Sequence, residues 1–381
     1  MQPFTLLIKP AGSDCNLDCS YCFYKNRAPR IGRGRQRMTD ETLEKLIKDY
    51  LKLALPRSVF AWQGGEPMLM GLDFYKRAVE LQKKHATSGQ QIENGLQTNA
   101  ILIDDNWAKF LHENNFLVGI SIDGPQQLHD YYRKNHAGSG SFDGVIRAIE
   151  LCKKHKVEFN LLVLLNNNNA EYPDEIFDFL VGLGTRFLQF IPCVEKDPAT
   201  GKIADFSIRP EQYADFMSRV FDRWVDYGPD KLSIRDFDSI LSFCAVGKHT
   251  LCTFDTQCSG YIVVEHTGDC FCCDFFVKPQ WRLGNIFDTP IDKLAAGDKK
   301  RAFARTKKNL PDKCLLCKYL AVCRGGCLKD RAVLDDTGFD KPSYLCGGYK
   351  LFLEKAMPRF MQIAVSLALS SSPSARPRHS L

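Results

Sequence analysis

The sequence lacks the features that mark a secreted or membrane-spanning chain. Its first ten residues contain no basic region followed by a long apolar core, so no signal peptide is expected. The longest late apolar run, Met361 to Leu369, is far shorter than the roughly 20 residues that cross a bilayer. A soluble, cytoplasmic protein without a membrane partner is therefore expected.

The chain also lacks a large excess of charge of one sign. Its formal net charge is +6 over 381 residues, which by itself does not indicate a nucleic-acid partner. Five arginines lie between Arg27 and Arg37, but no aromatic residue for base stacking accompanies them. We interpret this segment as a solvated connection and expect no nucleic-acid partner.

Cysteine, in contrast, is abundant, with sixteen in the chain. Because the cytosol keeps thiols reduced, metal ligation explains so many cysteines better than disulfides do. Three lie near the start, two are isolated, and eleven fall between Cys244 and Cys346. This gradient predicts a boundary that separates residues 1–235 from a cysteine-rich domain, residues 236–369. The Ser/Pro/Arg-rich residues 370–381 are predicted to be a disordered tail.

Strand and helix patterns alternate through the first 235 residues. The predicted strands are Phe4 to Ile8, Ser58 to Trp62, Ile92 to Thr98, Phe116 to Ile122, Val157 to Leu164 and Arg186 to Ile191. Six βα units predict an α/β fold, either a barrel or an open parallel sheet. Active sites of such folds lie at the carboxyl ends of the strands. Polar segments that follow strands two to four, including Gly64 to Pro67, share that edge with the first cysteines.

The motif Cys15, Cys19, Cys22 directly follows the first predicted strand. A closed 4Fe–4S cluster takes four cysteines, so three thiolates leave one iron open for chemistry. A zinc site is the alternative, but it has no evident fourth ligand nearby. Gly64 and Gly65 allow a ligand to approach the backbone closely, and Glu66 can accept hydrogen bonds from an ammonium group.

These motifs, within a series of six βα units, resemble the radical S-adenosylmethionine superfamily. The resemblance implies a partial (β/α)6 barrel similar to a TIM barrel. It also implies a 4Fe–4S cluster whose open iron is chelated by S-adenosyl-L-methionine. One electron then cleaves the sulfonium and produces a 5′-deoxyadenosyl radical.

Eight of the eleven cysteines between Cys244 and Cys346 are spaced as two sets of ligands, enough for two fully ligated clusters or, alternatively, for two zinc sites. Their spacing resembles the SPASM domain, so three 4Fe–4S clusters are implied in total. The resemblance assigns one auxiliary cluster to Cys252, Cys258, Cys273 and Cys327, and the other to Cys314, Cys317, Cys323 and Cys346. Spacing does not prove this interleaving, and Cys272 remains a rival to Cys273.

Within that superfamily, five stretches resemble the anaerobic sulfatase-maturating enzymes: Cys15 to Tyr24, Trp62 to Pro67, Ser121 to Arg133, Gln189 to Glu195 and Cys273 to Val277. Such enzymes oxidise a cysteine or serine of a sulfatase to Cα-formylglycine. The resemblance implies that Asp274 is the general base and that Glu66 faces the methionine amine of the cofactor. It further implies that Tyr21, Gly65, Ser121, Arg133 and Val194 line the S-adenosylmethionine site. An unfolded or nascent sulfatase polypeptide and a small electron donor of the flavodoxin or ferredoxin type are the implied partners.

Two other functions compete with this one. The nearer is a SPASM-type maturase that forms thioether or carbon–carbon links in a ribosomally made peptide. Many such maturases carry an N-terminal peptide-recognition domain, whereas only fourteen residues precede Cys15 here. The other is an electron-transfer or zinc-binding interaction protein, which would need neither an open iron nor an S-adenosylmethionine site.

Overall fold

The computed structural model describes residues 3–25, 35–333 and 339–370. The predicted tail, apart from Ser370, and most of the arginine-rich connection lie outside these ranges. The strands are β1 Thr5–Lys9, β2 Arg57–Trp62, β3 Gln91–Thr98, β4 Phe116–Ser121, β5 Phe159–Leu165, β6 Phe187–Pro192, β7 Ser233–Ile234, β8 Tyr261–Glu265, β9 Asp269–Phe271 and β10 Arg282–Asn285.

Helices separate most of these strands. In the first part they are α1 Asp40–Leu51, α2 Leu72–His85, α3 Asp105–Glu113, α4 Gln126–Tyr132, α5 Phe142–Lys154, α6 Pro173–Gly182, α7 Pro210–Tyr227 and α8 Arg235–Val246. In the cysteine-rich part they are α9 Ile291–Ala296, α10 Asp298–Thr306, α11 Asp312–Leu315, α12 Leu320–Cys323, α13 Leu328–Ala332 and α14 Cys346–Ser370. No helix in the described part of the chain is long and apolar enough to cross a membrane.

The described strands form one sheet in the order β10-β9-β8-β1-β2-β3-β4-β5-β6-β7. Strands β1 to β7 are parallel, and β8 adds to β1 in the same direction. Only β9 and β10 run antiparallel to their neighbours. The predicted α/β class with a largely parallel sheet is therefore confirmed, and the carboxyl ends of β1 to β6 and β8 meet at one edge.

The core lies between the sheet and its surrounding helices. Trp62 of β2 and Trp224 of α7 are fully buried, as are the inward-facing residues of β1, Leu6 and Ile8. The alternation of buried and partly exposed residues along β2 follows the period of two that a strand imposes. Burial of these side chains fixes the strand register, and with it the position of the polar residues where each strand ends.

Several elements differ from the sequence-based predictions. The sequence pattern predicts a hairpin whose second strand runs from Cys270 to Val277. This prediction is wrong beyond Phe271, because the chain leaves the ladder there and turns through Asp274–Phe276 as a 3₁₀ helix. Helix α8 begins where the domain boundary was predicted and packs on β6 and α14. The pattern also predicts a final helix from Leu351 to Leu369, but this helix begins five residues earlier, at Cys346. Tertiary contacts, rather than local patterns, set these bounds.

Candidate active site

The first three cysteines lie together in a loop that follows β1. Cys19 is buried, Cys15 and Cys22 are partly buried, and all three belong to one apolar cluster. Burial first, and then the Glu66 carboxylate, raises the pKa of Cys15 to about 12, and burial raises the pKa of Cys19 to about 11. Coordination to iron would supply the charge that deprotonates such buried thiols.

The glycine loop that follows β2 packs directly against the cysteine loop. Gly65 donates its N–H to the Gly12 carbonyl at 2.9 Å, and Glu66 donates its N–H to the Asp14 carbonyl at 2.7 Å. A Cβ on Gly65 would lie 2.0 Å from the Asp14 carbonyl oxygen. Only glycine therefore permits this approach, which brings the predicted cofactor-binding loop against the cysteines.

Glu66 is fully buried and held by three donors. Its Oε1 accepts from Met68 N at 2.9 Å and from Thr98 Oγ1 at 2.8 Å, and its Oε2 accepts from Asn99 N at 2.9 Å. Burial raises the pKa of Glu66 to about 7 although these hydrogen bonds favour the carboxylate. One further lone pair on Oε2 could accept from an ammonium or amine, so the residue fits its predicted role.

A second network surrounds Asp123, which follows the end of β4. Arg133 donates to its two oxygens from Nε at 2.9 Å and from Nη2 at 3.1 Å, and the Tyr21 hydroxyl donates to Oδ2. Ser121 is the last residue of β4, and Val194 is buried two residues after β6. The structure thus brings Tyr21 and Arg133 together through Asp123, and places Ser121 and Val194 at the same edge of the sheet.

Replacing Asp123 by alanine is expected to lower the free energy of unfolding by about 3–5 kcal/mol, because the largely buried Arg133 guanidinium would lose its counter-charge. Anaerobic urea unfolding measures the change. The matched control is Glu93→Ala, which breaks an exposed ion pair with Arg57 and should change the value by no more than about 1 kcal/mol. Equal effects of the two substitutions would contradict the prediction.

Asp274 lies at the centre of a third, buried network. Lys9, at the end of β1, pairs with its Oδ1 and also with Glu265 at 3.2 Å. The Tyr24 hydroxyl donates to Oδ2 at 2.9 Å, and Gln63 Nε2 donates to the same oxygen at 3.2 Å. The ammonium of Lys9 also lies 4.8 Å from the centre of the Tyr24 ring. These contacts hold the Asp274 carboxylate at the functional edge of the sheet.

Sequence analysis did not assign roles to Lys9, Gln63, Glu265 or Asp123. Each lies at, or within two residues beyond, the carboxyl end of a strand of the parallel sheet. The sequence feature that could have revealed them is a charged or polar residue at the end of a strand, as Lys9 is at the end of the apolar strand β1. Their partners are distant in the sequence, so no local pattern could have connected them.

The cysteines of the predicted first auxiliary site come together from three separate segments. Burial raises the pKa of Cys258 to about 12, and the nearby thiols of Cys273 and Cys252 add to this shift. The pKa of Cys327 is raised by burial and, to a smaller degree, by Asp330, Cys252 and Cys273. These four side chains therefore lie close enough to affect one another, as a shared cluster requires.

The cysteines of the predicted second auxiliary site also form one group. Cys314, Cys317, Cys323 and Cys346 all line a single cavity. Burial raises the pKa of Cys323, and the three other thiols add to this shift. Arg331 is fully buried beside this site and donates to the carbonyls of Gly325 and Arg324 at 2.9 Å. These hydrogen bonds fix the loop that directly follows Cys323.

Cys272 and Cys273 point to different surroundings. The Tyr261 hydroxyl lies 3.1 Å from the Cys273 sulfur, and Cys273 shares the group that contains Cys252. Burial raises the pKa of the Cys272 thiol to about 11, the nearby Lys300 and Lys299 lower it, and Cys273 adds to the rise. This geometry favours Cys273 as the cluster ligand. Across the described residues, no three His, Cys, Asp or Glu side chains converge tightly enough to hold a single metal ion.

The arrangement combines three features. It contains three thiols beside a glycine loop and a buried carboxylate, two further groups of four thiols, and a carboxylate held between a lysine, a tyrosine and a glutamine. Such a site can bind iron–sulfur clusters, hold a small zwitterionic cofactor, and accept a proton from a substrate side chain.

Comparisons with known proteins agree with this architecture. The family model "Radical SAM superfamily" matches residues 10–180, and the SPASM model, "Iron-sulfur cluster-binding domain", matches residues 252–318. The chain is 40% identical over 367 residues to the cysteine-type anaerobic sulfatase-maturating enzyme of Clostridium perfringens (strain 13 / Type A), covering 96% of this chain and 99% of the relative.

A serine-type relative and a solved structure are similarly close. The chain is 38% identical over 374 residues to the serine-type anaerobic sulfatase-maturating enzyme of Bacteroides thetaiotaomicron, covering 94% of this chain and 90% of the relative. It superposes on native anSMEcpe with bound AdoMet and Cp18Cys peptide with a TM-score of 0.89, at 39% identity, covering 96% of this chain and all of that one.

Proposed function

The chain belongs to the anaerobic sulfatase-maturating enzymes, a radical S-adenosylmethionine family with a SPASM domain, and we propose how its own residues oxidise a cysteine or serine of a sulfatase to Cα-formylglycine. The observation that carries the proposal is the position of Asp274, which lies next to a cluster cysteine and is held by Lys9, Tyr24 and Gln63. The alternative is a maturase that cross-links ribosomally made peptides. It is less supported, because both the cysteine-type and the serine-type relatives are sulfatase-maturating enzymes.

Cys15, Cys19 and Cys22 would hold the first 4Fe–4S cluster, and the two later groups of four cysteines would hold two more. When bound, the first cluster and S-adenosylmethionine supply hydrogen-atom abstraction from Cβ of the target residue, while the auxiliary clusters supply an acceptor for the remaining electron. The residues fit this set, since eleven thiols fall into groups of three, four and four.

Glu66, Gly65, Tyr21, Ser121, Arg133 and Val194 would bind and orient S-adenosylmethionine. Glu66 accepts from the cofactor amine through its remaining lone pair, and Gly65 permits a close approach of the backbone. Arg133 keeps the ring of Tyr21 and the Asp123 carboxylate in place, its guanidinium lying 5.5 Å from the ring centre. Because these residues are themselves buried and hydrogen-bonded, they would hold S-adenosylmethionine in a fixed orientation close to the substrate.

Asp274 would take the proton from the substrate thiol or hydroxyl at Oδ1 or Oδ2. Lys9 supplies a counter-charge to this carboxylate, and the two Oδ2 donors fix its orientation. Removing that proton makes the substrate easier to oxidise, so loss of the last electron follows. A thioaldehyde formed from cysteine hydrolyses to formylglycine.

We also propose the cellular setting and the partners. Eleven of the sixteen cysteines would be cluster ligands, and they suit the cytoplasm, where thiols stay reduced. The substrate would be an unfolded or nascent sulfatase polypeptide, and a small flavodoxin- or ferredoxin-type protein would deliver the electron to the first cluster.

The direct test uses the reconstituted holoenzyme. Incubation with S-adenosylmethionine, dithionite and a Cys-x-Pro-x-Arg peptide is expected to give formylglycine, detected by mass spectrometry. A peptide with serine at the same position measures the preference between the two target residues. A cross-linked peptide, or cofactor cleavage without any change in the peptide, would contradict the proposed function.

Replacing Glu66 by glutamine is expected to weaken S-adenosylmethionine binding by about tenfold or more, since a hydrogen bond to a charged group contributes roughly 1.5–3 kcal/mol. The amide also cannot accept from Met68, Thr98 and Asn99 together, because one of its two terminal atoms is a donor. Equilibrium binding to the cluster-loaded protein measures the change, with iron content as the check on the first site. Unchanged affinity in Glu66→Gln would exclude this role.

A further inference from the structure

Several basic side chains are buried in the described part of the chain: Lys9, Lys300, Lys307 and Arg331. Lys9 pairs with the carboxylates of Glu265 and Asp274. The other three all lie in the cysteine-rich part, and the hydrogen bonds that they donate go to backbone carbonyls rather than to carboxylates of the described residues. Asp330, a buried carboxylate of that part, pairs with Lys329 at 3.6 Å instead. Because a buried charge without a counter-charge is costly, these three cations need an anion nearby.

Two of the buried cations contact the backbone of the first auxiliary site. Lys300 donates from Nζ to three carbonyls, those of Tyr261 at 2.7 Å, Cys272 at 2.8 Å and Cys258 at 3.2 Å. These hydrogen bonds use every N–H of an ammonium, whereas a neutral amine has one fewer, so the side chain is held in its charged form. Lys307, which directly follows α10, donates to the carbonyls of Cys252 and Thr253. Both ammonium groups therefore lie beside cysteines of this site.

Arg331 lies between the two auxiliary sites. It donates to the carbonyls of Arg324 and Gly325 at 2.9 Å, directly after Cys323 of the second site. It also donates at 3.1 Å to the carbonyl of Lys307, whose ammonium contacts the first site. Burial lowers the pKa of Arg331, and thiols of both sites oppose this shift: Cys314 and Cys323 of the second, and Cys258 and Cys327 of the first.

We propose that Arg331 is a shared counter-charge of the two auxiliary clusters, that Lys300 and Lys307 are counter-charges of the first alone, and that these buried cations raise the clusters' reduction potentials. The inference rests on the cluster set of the proposed function and adds the residues that tune it. Four thiolates outweigh the charge of an iron–sulfur core, so a fully ligated cluster is an anion, and reduction makes it more negative. A fixed cation nearby therefore stabilises the reduced form more than the oxidised form. A higher potential favours uptake of the electron that substrate oxidation releases.

The test separates the charge of these side chains from their hydrogen bonds, because the same contacts also hold the cysteine-bearing loops. It uses the full-length reconstituted holoenzyme. Arg331→Gln removes the charge and keeps some donors, whereas Arg331→Lys keeps the charge and loses the planar fork. Lys300→Met removes the ammonium of the first site. The matched control is Lys299→Met, because Lys299 is the exposed neighbour on α10 and donates to the Arg282 carbonyl at 2.9 Å.

Redox titration followed by electron paramagnetic resonance measures the potentials of the clusters, with S-adenosylmethionine added to identify the cluster that binds it. Arg331→Gln is expected to lower the equilibrium constant for reduction of both auxiliary clusters about tenfold or more, which is about 59 mV each for a one-electron couple. Lys300→Met should lower only one of them by that amount. Arg331→Lys and Lys299→Met should stay close to the wild type, and the cluster that binds S-adenosylmethionine should keep its potential in every variant.

Several outcomes would overturn the proposal. One is a shift in Arg331→Lys as large as that in Arg331→Gln, because the effect would then follow from the lost fork and not from the charge. Others are a shift of one or no potential in Arg331→Gln, or equal shifts in Lys299→Met and Lys300→Met. If Arg331→Gln takes up less iron, retention of iron by Arg331→Lys supports the role of the charge, and equal loss in both contradicts it.

Failure of the proposed function is distinguishable from failure of this inference. The potentials and the iron content are measured without any peptide substrate, so they do not depend on which reaction the enzyme performs. The proposed function is scored separately, by formylglycine formed by the wild-type protein.

Discussion

Replacing Asp274 by asparagine is expected to lower formylglycine formation by roughly 10²–10⁴-fold, the usual contribution of a positioned general base. The amide has nearly the same shape but cannot take a proton, so the substrate thiol or hydroxyl stays protonated and resists loss of its second electron. The residues that we propose as ligands of iron and S-adenosylmethionine are different ones. Cleavage of the cofactor to 5′-deoxyadenosine should therefore continue while peptide oxidation nearly stops.

Liquid chromatography with mass spectrometry measures both products in the same reaction. Asp269→Asn is the matched control, because Asp269 lies in the same hairpin but pairs with Arg282 on the surface. That variant should produce formylglycine at the wild-type rate. Full product yield from Asp274→Asn would refute the assignment of the base, and a parallel loss of 5′-deoxyadenosine would indicate damage to the cofactor site instead.

Replacing Cys19 by alanine is expected to abolish cleavage of S-adenosylmethionine. The two remaining thiolates would be too few to retain a 4Fe–4S cluster, because its fourth iron has no protein ligand. The later eight cysteines are untouched, so the purified variant should keep about 8 of about 12 irons per chain, as two 4Fe–4S clusters imply. Iron analysis and electron paramagnetic resonance of the anaerobically reconstituted protein measure the loss.

Cys193→Ala supplies the matched control for this experiment. Cys193 is a buried thiol in the same apolar cluster as Cys19, but it follows β6 and belongs to none of the three proposed ligand groups. The variant should retain its iron and cleave the cofactor. Cofactor cleavage at the wild-type rate by Cys19→Ala would exclude the triad as the reactive site.

Much of the fold could be predicted because its determinants are local. Strand-like runs of five to eight residues that alternate with helical periodicity indicated a parallel sheet, because parallel strands need a crossover connection, which is usually a helix. The polar segments after the strands, including Gly64 to Pro67, then had to share one edge. Element bounds were less accurate. Helix α8 and the start of α14 at Cys346 depend on packing against other helices, which no single segment encodes.

By itself the sequence indicated that cysteines bind iron–sulfur clusters, because the type, number and local spacing of these residues can be read from single segments. Only the tertiary structure decided which distant residues meet. Lys9 contacts Glu265 and Asp274 across more than 250 residues because β8 adds to β1 in parallel, in a register that aligns Lys9 with Glu265. Cys252 and Cys273, 21 positions apart in the chain, likewise lie close enough to affect each other only in the folded protein. Side chains so far apart in the chain become neighbours only when buried strands and helices fix their register, so their cooperation is a property of the fold.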